Sequence, residues 1–203
     1  MSNEFDKTKL ALRYWLLGKE YYTALVAMEF ASKYHTGTRR DGTTPEFHHQ
    51  ISIASYIRTL PSVLDMESTL ATAFLHDVVE DYKVSLNDIE NLVGIKITEC
   101  VKILTKEKSI PENIYYSNIS KCPISSIIKG SDRIHNVQTM NGVFGDDKKK
   151  KYIEETIDLV LPMIKLARRT FPEQETAYEN IKLVLNSQVD LINYSLEENG
   201  LGK

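Results

Sequence analysis

Four hydrophilic side chains interrupt an otherwise apolar stretch of the sequence, at residues 74–81. The stretch lacks Gly and Pro, and its apolar density predicts a helix. On a helix His76 and Glu80 lie four residues apart, as do Asp77 and Asp81, so each pair shares a face. Four polar groups in one apolar turn are hard to satisfy unless they are paired or coordinate a cation. The stretch therefore indicates a metal site.

A second polar cluster lies within an apolar helical pattern at residues 127–137. Asp132 and Asn136 are four residues apart, so they share a helix face and can approach the first cluster. Taken alone, Asp132 and Arg133 favour a simpler interpretation, an ion pair along the helix.

A third candidate is the His48-His49 pair, which opens another predicted helix. His49 falls in line with Ile53 and Ile57, which form the apolar stripe of that helix. His48 lines up with serines instead. His49 is therefore the histidine that we expect to face inward.

These clusters combine into a mixed nitrogen and oxygen donor set: His49, His76, Asp77 and Asp132. Such a set suits Mn(II) or Fe(II) more than Mg(II), which prefers oxygen. One ion with four protein ligands has room for water and can make that water acidic enough to be a nucleophile near neutral pH. Glu80 and Asp81, one turn beyond, are placed to accept its proton or to orient it.

Other polar residues favour ordinary structural roles. A lone histidine on an apolar face is usually a satisfied core residue, and we expect structural or supporting roles for His35, His48 and His135. The lysines at residues 148–151 are typical of a solvated helix start, although their position after a glycine loop leaves phosphate contact open.

Composition restricts the class of protein. A chain of 203 residues with 42% apolar residues can bury a full core, and it fits one domain more easily than two. A net charge of −3 and a pI near 6.0 argue against broad nucleic-acid binding, so an anionic ligand must be met locally.

The cysteines and the N-terminus point to a cytoplasmic protein. Cys100 and Cys122 are far apart and lack CxxC spacing, so we expect two reduced thiols. Residues 1–9 carry charges of both signs, and no run approaches the ~20 apolar residues of a membrane span.

The hydrophobic periodicity predicts an all-α fold, a bundle of about eight to ten helices. No stretch shows the alternation of a strand. Residues 35–45 form a basic loop that we expect to be flexible. The predicted helices cover residues 7–17, 19–34, 46–60, 65 onward, 85–92, 95–104, 111–120, 123–140, 148–169 and 172–198.

The order of these motifs resembles the HD-domain superfamily of metal-dependent phosphohydrolases. Residues 74–81 and 131–140 look like the hydrolase domain of the RelA/SpoT homologues, and residues 35–49 are similar to that family's first motif. The resemblance covers about residues 24–162. It implies a single HD-type hydrolase domain over residues 1–203, with a motif-bearing core at about 19–170 and a C-terminal helix at 172–198.

The resemblance also implies an activity, the Mn(II)-dependent removal of the 3′-pyrophosphate from guanosine tetraphosphate or pentaphosphate. Its metal ligands would be His49, His76, Asp77 and Asp132, and Glu80 and Asp81 would be the catalytic pair. The residues that would contact the nucleotide are Arg39, Arg40, Lys108, Asn136 and Lys151. No synthetase domain fits within 203 residues, so we expect a hydrolase only, like the stand-alone small alarmone hydrolases.

Three departures from the family pattern border the base pocket. Glu46 replaces a Tyr, Gln50 replaces a Pro, and Gly130 stands where the family has Leu. The substrate could therefore be another nucleotide: an adenosine alarmone, a deoxynucleotide or NADPH. A third hypothesis is a nucleotide-binding or toxin-neutralising module. The sequence leaves the oligomeric state open.

Overall fold

The computed structural model describes residues 2–201, with the side chains of residues 4–197. These residues form α-helices and no strand, apart from one isolated bridge between Thr38 and Pro45. The predicted all-α class is confirmed. None of the described helices is both long and apolar enough to cross a membrane. The α-helices are α1 Ser2–Gly18, α2 Tyr22–Ala31, α3 His48–Ile57, α4 Met66–Leu75, α5 Val78–Tyr82, α6 Leu86–Val93, α7 Ile95–Leu104, α8 Glu112–Ile119, α9 Pro123–Thr139, α10 Asp146–Glu155, α11 Leu161–Thr170 and α12 Glu175–Leu201.

The helix predicted through the first polar cluster is broken in two. Helix α4 ends at Leu75, a turn contains His76 and Asp77, and α5 begins at Val78. The continuous helix predicted there is therefore wrong. The His76 Nδ1 atom lies 2.8 Å from the carbonyl oxygen of Ala73. The His76 side chain therefore forms a hydrogen bond with the backbone of the last turn of α4.

The predicted helix over residues 148–169 is also interrupted. A π-helical turn, Thr156–Val160, separates α10 from α11. Pro162 follows directly in the first turn of α11. Proline has no N–H to donate to the carbonyl four residues earlier, which explains why the regular α-helical pattern changes here. A short 3₁₀ turn, Pro172–Gln174, then leads into α12.

Helix α4 is the central helix of the bundle. Each of its residues from Thr69 to Leu75 is buried, and it packs against α2, α3, α7 and α9. A helix that is buried on every face must be enclosed by others. This packing fixes where the turn at its C-terminal end, with His76 and Asp77, meets α3 and α9.

Gly130 allows a close approach between α9 and its neighbours. A Cβ atom there would lie 2.7 Å from Ile181 Cγ2 and 2.8 Å from Ile164 Cδ1. Both distances are shorter than real Cβ contacts, so Ile164 on α11 and Ile181 on α12 would have to shift to admit a larger side chain. The departure at this position therefore reflects helix packing.

Arg133 belongs to a buried network that does not include Asp132. The Arg133 side chain donates to Glu155 Oε1 at 2.6 Å and to Tyr116 Oη at 3.3 Å. The hydroxyl of Tyr116 donates to the same Glu155 oxygen at 2.6 Å. The alternative of an ion pair between Asp132 and Arg133 is therefore wrong, and Arg133 instead connects α9 to α8 and α10.

We expect Glu155→Ala to lower the free energy of unfolding by about 2–3 kcal/mol, because it leaves the Arg133 guanidinium buried without its carboxylate. The Glu155 side chain is 29% exposed, so water can replace part of the lost contact. Urea unfolding followed by circular dichroism measures the loss. Glu154, the exposed neighbour on α10, provides the matched control, and an equal loss in Glu154→Ala would contradict the assignment.

Candidate active site

Three of the predicted ligands form a compact group. His49 stands in the first turn of α3, and His76 and Asp77 form the turn between α4 and α5. Each offers one donor atom within 4.8 Å of the other two. Both histidines are buried. His49 therefore does face inward, as its alignment with the apolar stripe predicted.

Asp132 on α9 adjoins this group. Its Oδ1 atom lies 3.2 Å from His49 Nε2, and Asp77 Oδ2 lies 3.7 Å from the same nitrogen. The side chain is buried, with 10% of it exposed. Three segments that are far apart in the chain thus bring two imidazoles and two aspartates together around His49 Nε2.

The donor set fits one divalent cation. His76 Nε2 is buried without a hydrogen-bond partner among the residues that the structure describes, although Asp77 Oδ1 is only 3.1 Å away. A buried imidazole nitrogen that has no hydrogen-bond partner and lies beside a carboxylate is stabilised by a bound cation. Nitrogen and oxygen donors in one buried group suit a first-row divalent ion.

His135 supports His49 from behind. Their Nδ1 atoms lie 2.8 Å apart. If His49 binds a metal ion through Nε2, the nitrogen that faces the two acids, its Nδ1 carries the proton and donates to Nδ1 of a neutral His135. Burial lowers the pKa of His135 to about 2, and the nearby His49 and Arg39 add to this effect. The supporting role expected for His135 agrees with this contact.

We expect His135→Leu to weaken metal binding by about 10–100-fold, because the acceptor that fixes the tautomer of His49 is lost. Calorimetric titration of the metal-free protein with Mn(II) measures the change. His48 is the matched control. It lies on α3 beside His49, but its Nδ1 atom faces Ser52 Oγ at 3.2 Å. Unchanged affinity in His135→Leu, or the same loss in His48→Leu, would count against this role.

Lys129 is a partly buried cation, with 20% of its side chain exposed, that was not among the site residues predicted from the sequence. Its Nζ lies 3.3 Å from Asp132 Oδ2, while Asn136 donates to Asp132 Oδ1 at 2.5 Å. Burial alone would raise the pKa of Asp132, but Lys129 and the contact with His49 outweigh it and hold the pKa well below its usual value. The signal was available, since a lysine three residues before an acid on an apolar helix face is poised to pair with it.

Gln50 orients the neighbouring ligand. Its Nε2 donates to Asp77 Oδ2 at 3.3 Å, and the residue is 1% exposed. Its Oε1 is buried without a partner among the described residues. Gln50 stands where the family has Pro, and its amide donates a hydrogen bond to Asp77 that a proline side chain could not provide.

Glu80 and Asp81 lie in α5, directly after the ligand turn. Glu80 Oε2 accepts from the backbone N–H of Lys106 at 3.1 Å, which orients the carboxylate. Asp81 is exposed as a residue, but its carboxyl is partly shielded from water, and this shielding raises its pKa. The carboxylates of Asp77, Glu80 and Glu46 raise it further. Asp81 therefore holds a proton more readily than an ordinary aspartate.

The loop of residues 36–45 is closed by its own hydrogen bonds. The carboxylate of Asp41 accepts from the backbone amides of Thr43 and Thr44, each at 2.8 Å. The hydroxyl of Thr44 donates to the other oxygen at 2.5 Å, and this bond chiefly lowers the pKa of Asp41 to about 2. The Arg39 amide also donates to the Thr44 carbonyl at 2.8 Å. The loop expected to be flexible is thus internally braced.

A cavity of about 510 Å³ opens over these groups, within the range of small-molecule sites. Arg39, Arg40 and Asn136 line it, together with the four candidate ligands and both acids. Lys108 and Lys151 are exposed and are not among its lining residues, where Lys106 and Lys129 supply the lysines instead. The structure thus brings together every predicted site residue except these two.

The fold and the His76-Asp77 doublet define the class of protein. A model of the HD domain family matches residues 27–170. The chain belongs to the HD domain family. The resemblance drawn from the separated motifs is thereby confirmed.

Relatives of known name fall within one group. The GTP pyrophosphokinase rsh of Brucella melitensis is 30% identical over 148 residues, which are 68% of this chain and 19% of that protein. The human guanosine-3′,5′-bis(diphosphate) 3′-pyrophosphohydrolase MESH1 is 24% identical over 172 residues, 81% of this chain and 96% of the human one. This chain thus spans about a fifth of the long bacterial relatives, 19% of rsh, and almost the whole of the human protein.

The fold is shared with a solved structure. That structure, of a metazoan orthologue of SpoT that hydrolyses ppGpp, is similar with a TM-score of 0.62 and 21% sequence identity. The match covers 83% of this chain and 94% of the other. The bundle described above is therefore the fold of that protein.

Proposed function

We propose that this chain is a cytoplasmic hydrolase that removes the 3′-pyrophosphate from guanosine tetraphosphate or pentaphosphate. The products are pyrophosphate and GDP or GTP. The observation that carries the proposal is the meeting of three chain segments in one donor group beside a pair of acids. It is supported by the match to a human relative that bears this name, over 96% of that protein.

We propose that the site binds one Mn(II) ion through four candidate ligands: His49, His76, Asp77 and Asp132. When bound, a divalent ion supplies positive charge that activates a water molecule and offsets the charge of the phosphate oxygens. Lys129 and Asn136 hold the carboxylate of Asp132, and Gln50 holds that of Asp77. These contacts fix the carboxylates before substrate arrives.

The two acids divide the proton transfers. Glu80, oriented by the amide of Lys106, accepts the proton of the attacking water. Asp81, whose pKa is raised by partial burial and by neighbouring carboxylates, keeps its proton more readily and donates it to the departing oxygen. Two carboxyl groups with different environments can thus act as base and acid at one pH.

Basic groups that line the cavity bind the nucleotide. Arg39 lies with its Nη2 atom 3.4 Å from Thr139 Oγ1, and Arg40 lies 5.1 Å above the ring of Phe144. A planar guanidinium can stack on a purine and can bind phosphate oxygens. Lys106 and Lys129 add positive charge to the lining, and we assign them the phosphate contacts first expected of Lys108 and Lys151.

A second candidate keeps the metal chemistry and changes the nucleotide. Glu46 and Gln50 line the cavity and depart from the family pattern. The Glu46 carboxylate accepts from the Gly37 amide at 3.2 Å. A carboxylate in the lining disfavours a ligand phosphate nearby and can accept from an amino group of a base, and adenine also carries such a group.

A panel of nucleotides tests both candidates. The purified chain is loaded with Mn(II), Fe(II) or Mg(II), or treated with chelator, and is offered ppGpp, pppGpp, their adenosine counterparts, a deoxynucleotide and NADPH. Release of pyrophosphate from ppGpp with Mn(II), and none with chelator, is the expected result. Higher kcat/KM for another member favours the second candidate. No turnover of any member by metal-loaded protein would leave the hypothesis of a binding or toxin-neutralising module.

A further inference from the structure

The fold brings together the only two cysteines of the chain, which are 22 residues apart in sequence. Cys100 belongs to α7, and Cys122 is the residue directly before α9. Their sulfur atoms lie 3.7 Å apart. Because a disulfide has a sulfur separation of about 2.0 Å, the two need to approach by less than about 2 Å to bond. Both cysteines are free thiols, as the sequence led us to expect, and the fold places them side by side.

Cys122 has the surroundings of a reactive thiol. Its sulfur caps helix α9 by accepting from the Ser125 backbone N–H at 3.4 Å, and the Ser125 hydroxyl lies 3.2 Å from the same sulfur. A hydrogen bond from Cys100 and these contacts with Ser125 lower the pKa of Cys122 to about 5. Hydrogen-bond donors at a helix N-terminus stabilise a thiolate, which is the nucleophilic form.

Cys100 has the opposite character. It is buried, with 6% exposure, whereas Cys122 is partly exposed. Its role as donor to Cys122, together with its burial, raises its pKa. A reagent from solvent therefore reaches Cys122 first, while Cys100 lies beside it as a buried, protonated thiol.

We propose that Cys122 and Cys100 form a peroxide-reactive dithiol, in which Cys122 is oxidised first and Cys100 resolves it to a disulfide. This modification site is separate from the metal cluster, and its existence does not depend on the proposed function. Paired thiols with a low-pKa, accessible member are the usual form of a redox-responsive site.

The steps balance with hydrogen peroxide as the oxidant. The Cys122 thiolate attacks one peroxide oxygen, the O–O bond breaks, and with one proton the products are a sulfenic acid and water. The sulfur of Cys100 then attacks the sulfur of the sulfenic acid, its proton leaves with the hydroxyl as water, and the S–S bond forms. Once Cys122 is a neutral sulfenic acid, the negative charge that held the Cys100 proton is gone. Two thiols and one peroxide thus give one disulfide and two waters.

The bond would join α7 to the start of α9, the helix that carries Asp132. Reduced, the two helices are held here by noncovalent contacts; oxidised, they are covalently linked. Cytosolic disulfides are usually transient and redox-sensing, so we expect the bond to be readily reversed by a dithiol reductant.

Peroxide treatment of the full chain, followed by alkylation and mass spectrometry without reductant, tests the proposal. We expect both thiols to disappear together, an intact mass lower by two hydrogens, and a cross-linked peptide pair that dithiothreitol separates. In Cys100→Ser, a sulfenic acid on Cys122 should accumulate and be trapped by a cyclic 1,3-dione. In Cys122→Ser, Cys100 should react with peroxide at least about tenfold more slowly than Cys122 does in the wild type. Independent oxidation of the two sulfurs without a cross-link would overturn the proposal.

A second measurement avoids cysteine variants. We expect alkylation of Cys122 by iodoacetamide in the wild type to reach half its maximal rate well below the ordinary thiol pKa of about 8.5. Ser125→Ala should move this midpoint upward. Ser120→Ala is the matched control, since the Ser120 hydroxyl donates to the Ser117 carbonyl at 2.7 Å and contacts neither sulfur. A midpoint near the ordinary value in the wild type refutes the activation of Cys122.

Discussion

Glu80→Gln is expected to lower kcat for ppGpp by about 10²–10⁴-fold, the usual contribution of a general base. The amide keeps the shape of the carboxylate and can still accept from the Lys106 backbone N–H, which now lies 3.1 Å from Glu80 Oε2. What is lost is the ability to take a proton. Steady-state release of pyrophosphate measures the effect, and Mn(II) titration should give wild-type affinity because Glu80 is not one of the assigned ligands.

Glu90→Gln on α6 is the control, because Glu90 is exposed and does not line the cavity. It should retain full activity. Normal turnover in Glu80→Gln would remove the residue from its assigned role. Loss of metal in that variant would instead mean that Glu80 belongs to the donor set.

Asp77→Ala should abolish metal binding and turnover together. Asp77 is within 3.1 Å of His76 Nε2 and 3.7 Å of His49 Nε2, so its carboxylate joins the two imidazoles into one group. We expect metal affinity to fall by more than about 100-fold, beyond the loss caused by removing a supporting residue. Thermal unfolding gives a readout independent of activity, because a ligand that binds only the native state raises Tm. The rise on adding Mn(II) should disappear.

Asp190→Ala on α12 serves as the reference variant, since Asp190 is exposed and outside the cavity lining. It should keep the full rise in Tm. If Asp77→Ala shows the same rise, the donor set has been assigned to the wrong residues. If a biological effect of the protein persists in Asp77→Ala, binding and not turnover is the function.

The candidate ligands could be found in the sequence because buried polar groups need partners. His76 and Asp77 stand among apolar residues, and Asp132 and His49 stand on apolar helix faces. Such positions are unfavourable unless something satisfies them, so residue type and spacing alone drew attention to them. Helix positions followed from the same periodicity, and α7 agrees with the predicted residues 95–104.

Features set by tertiary contacts could not be found this way. No Gly or Pro marks the helix break at His76 in the sequence. The structure shows it, together with the contact between the imidazole and the Ala73 carbonyl. Similarly, periodicity does not reveal that Cys100 and Cys122 converge across α7 and α9. The lysines that line the cavity differ from the two predicted from the sequence for a related reason: lysines two residues apart, such as Lys106 and Lys108, differ in whether they line it.

Arg39 and Arg40 are carried by a loop that Asp41 has already closed. Its own hydrogen bonds already restrict the backbone of this segment, so an arriving nucleotide has less of it to order. The guanidinium groups are consequently in position before the nucleotide enters, and the nucleotide binds to a preorganised surface. Association should then be limited by diffusion and charge attraction more than by rearrangement of the loop.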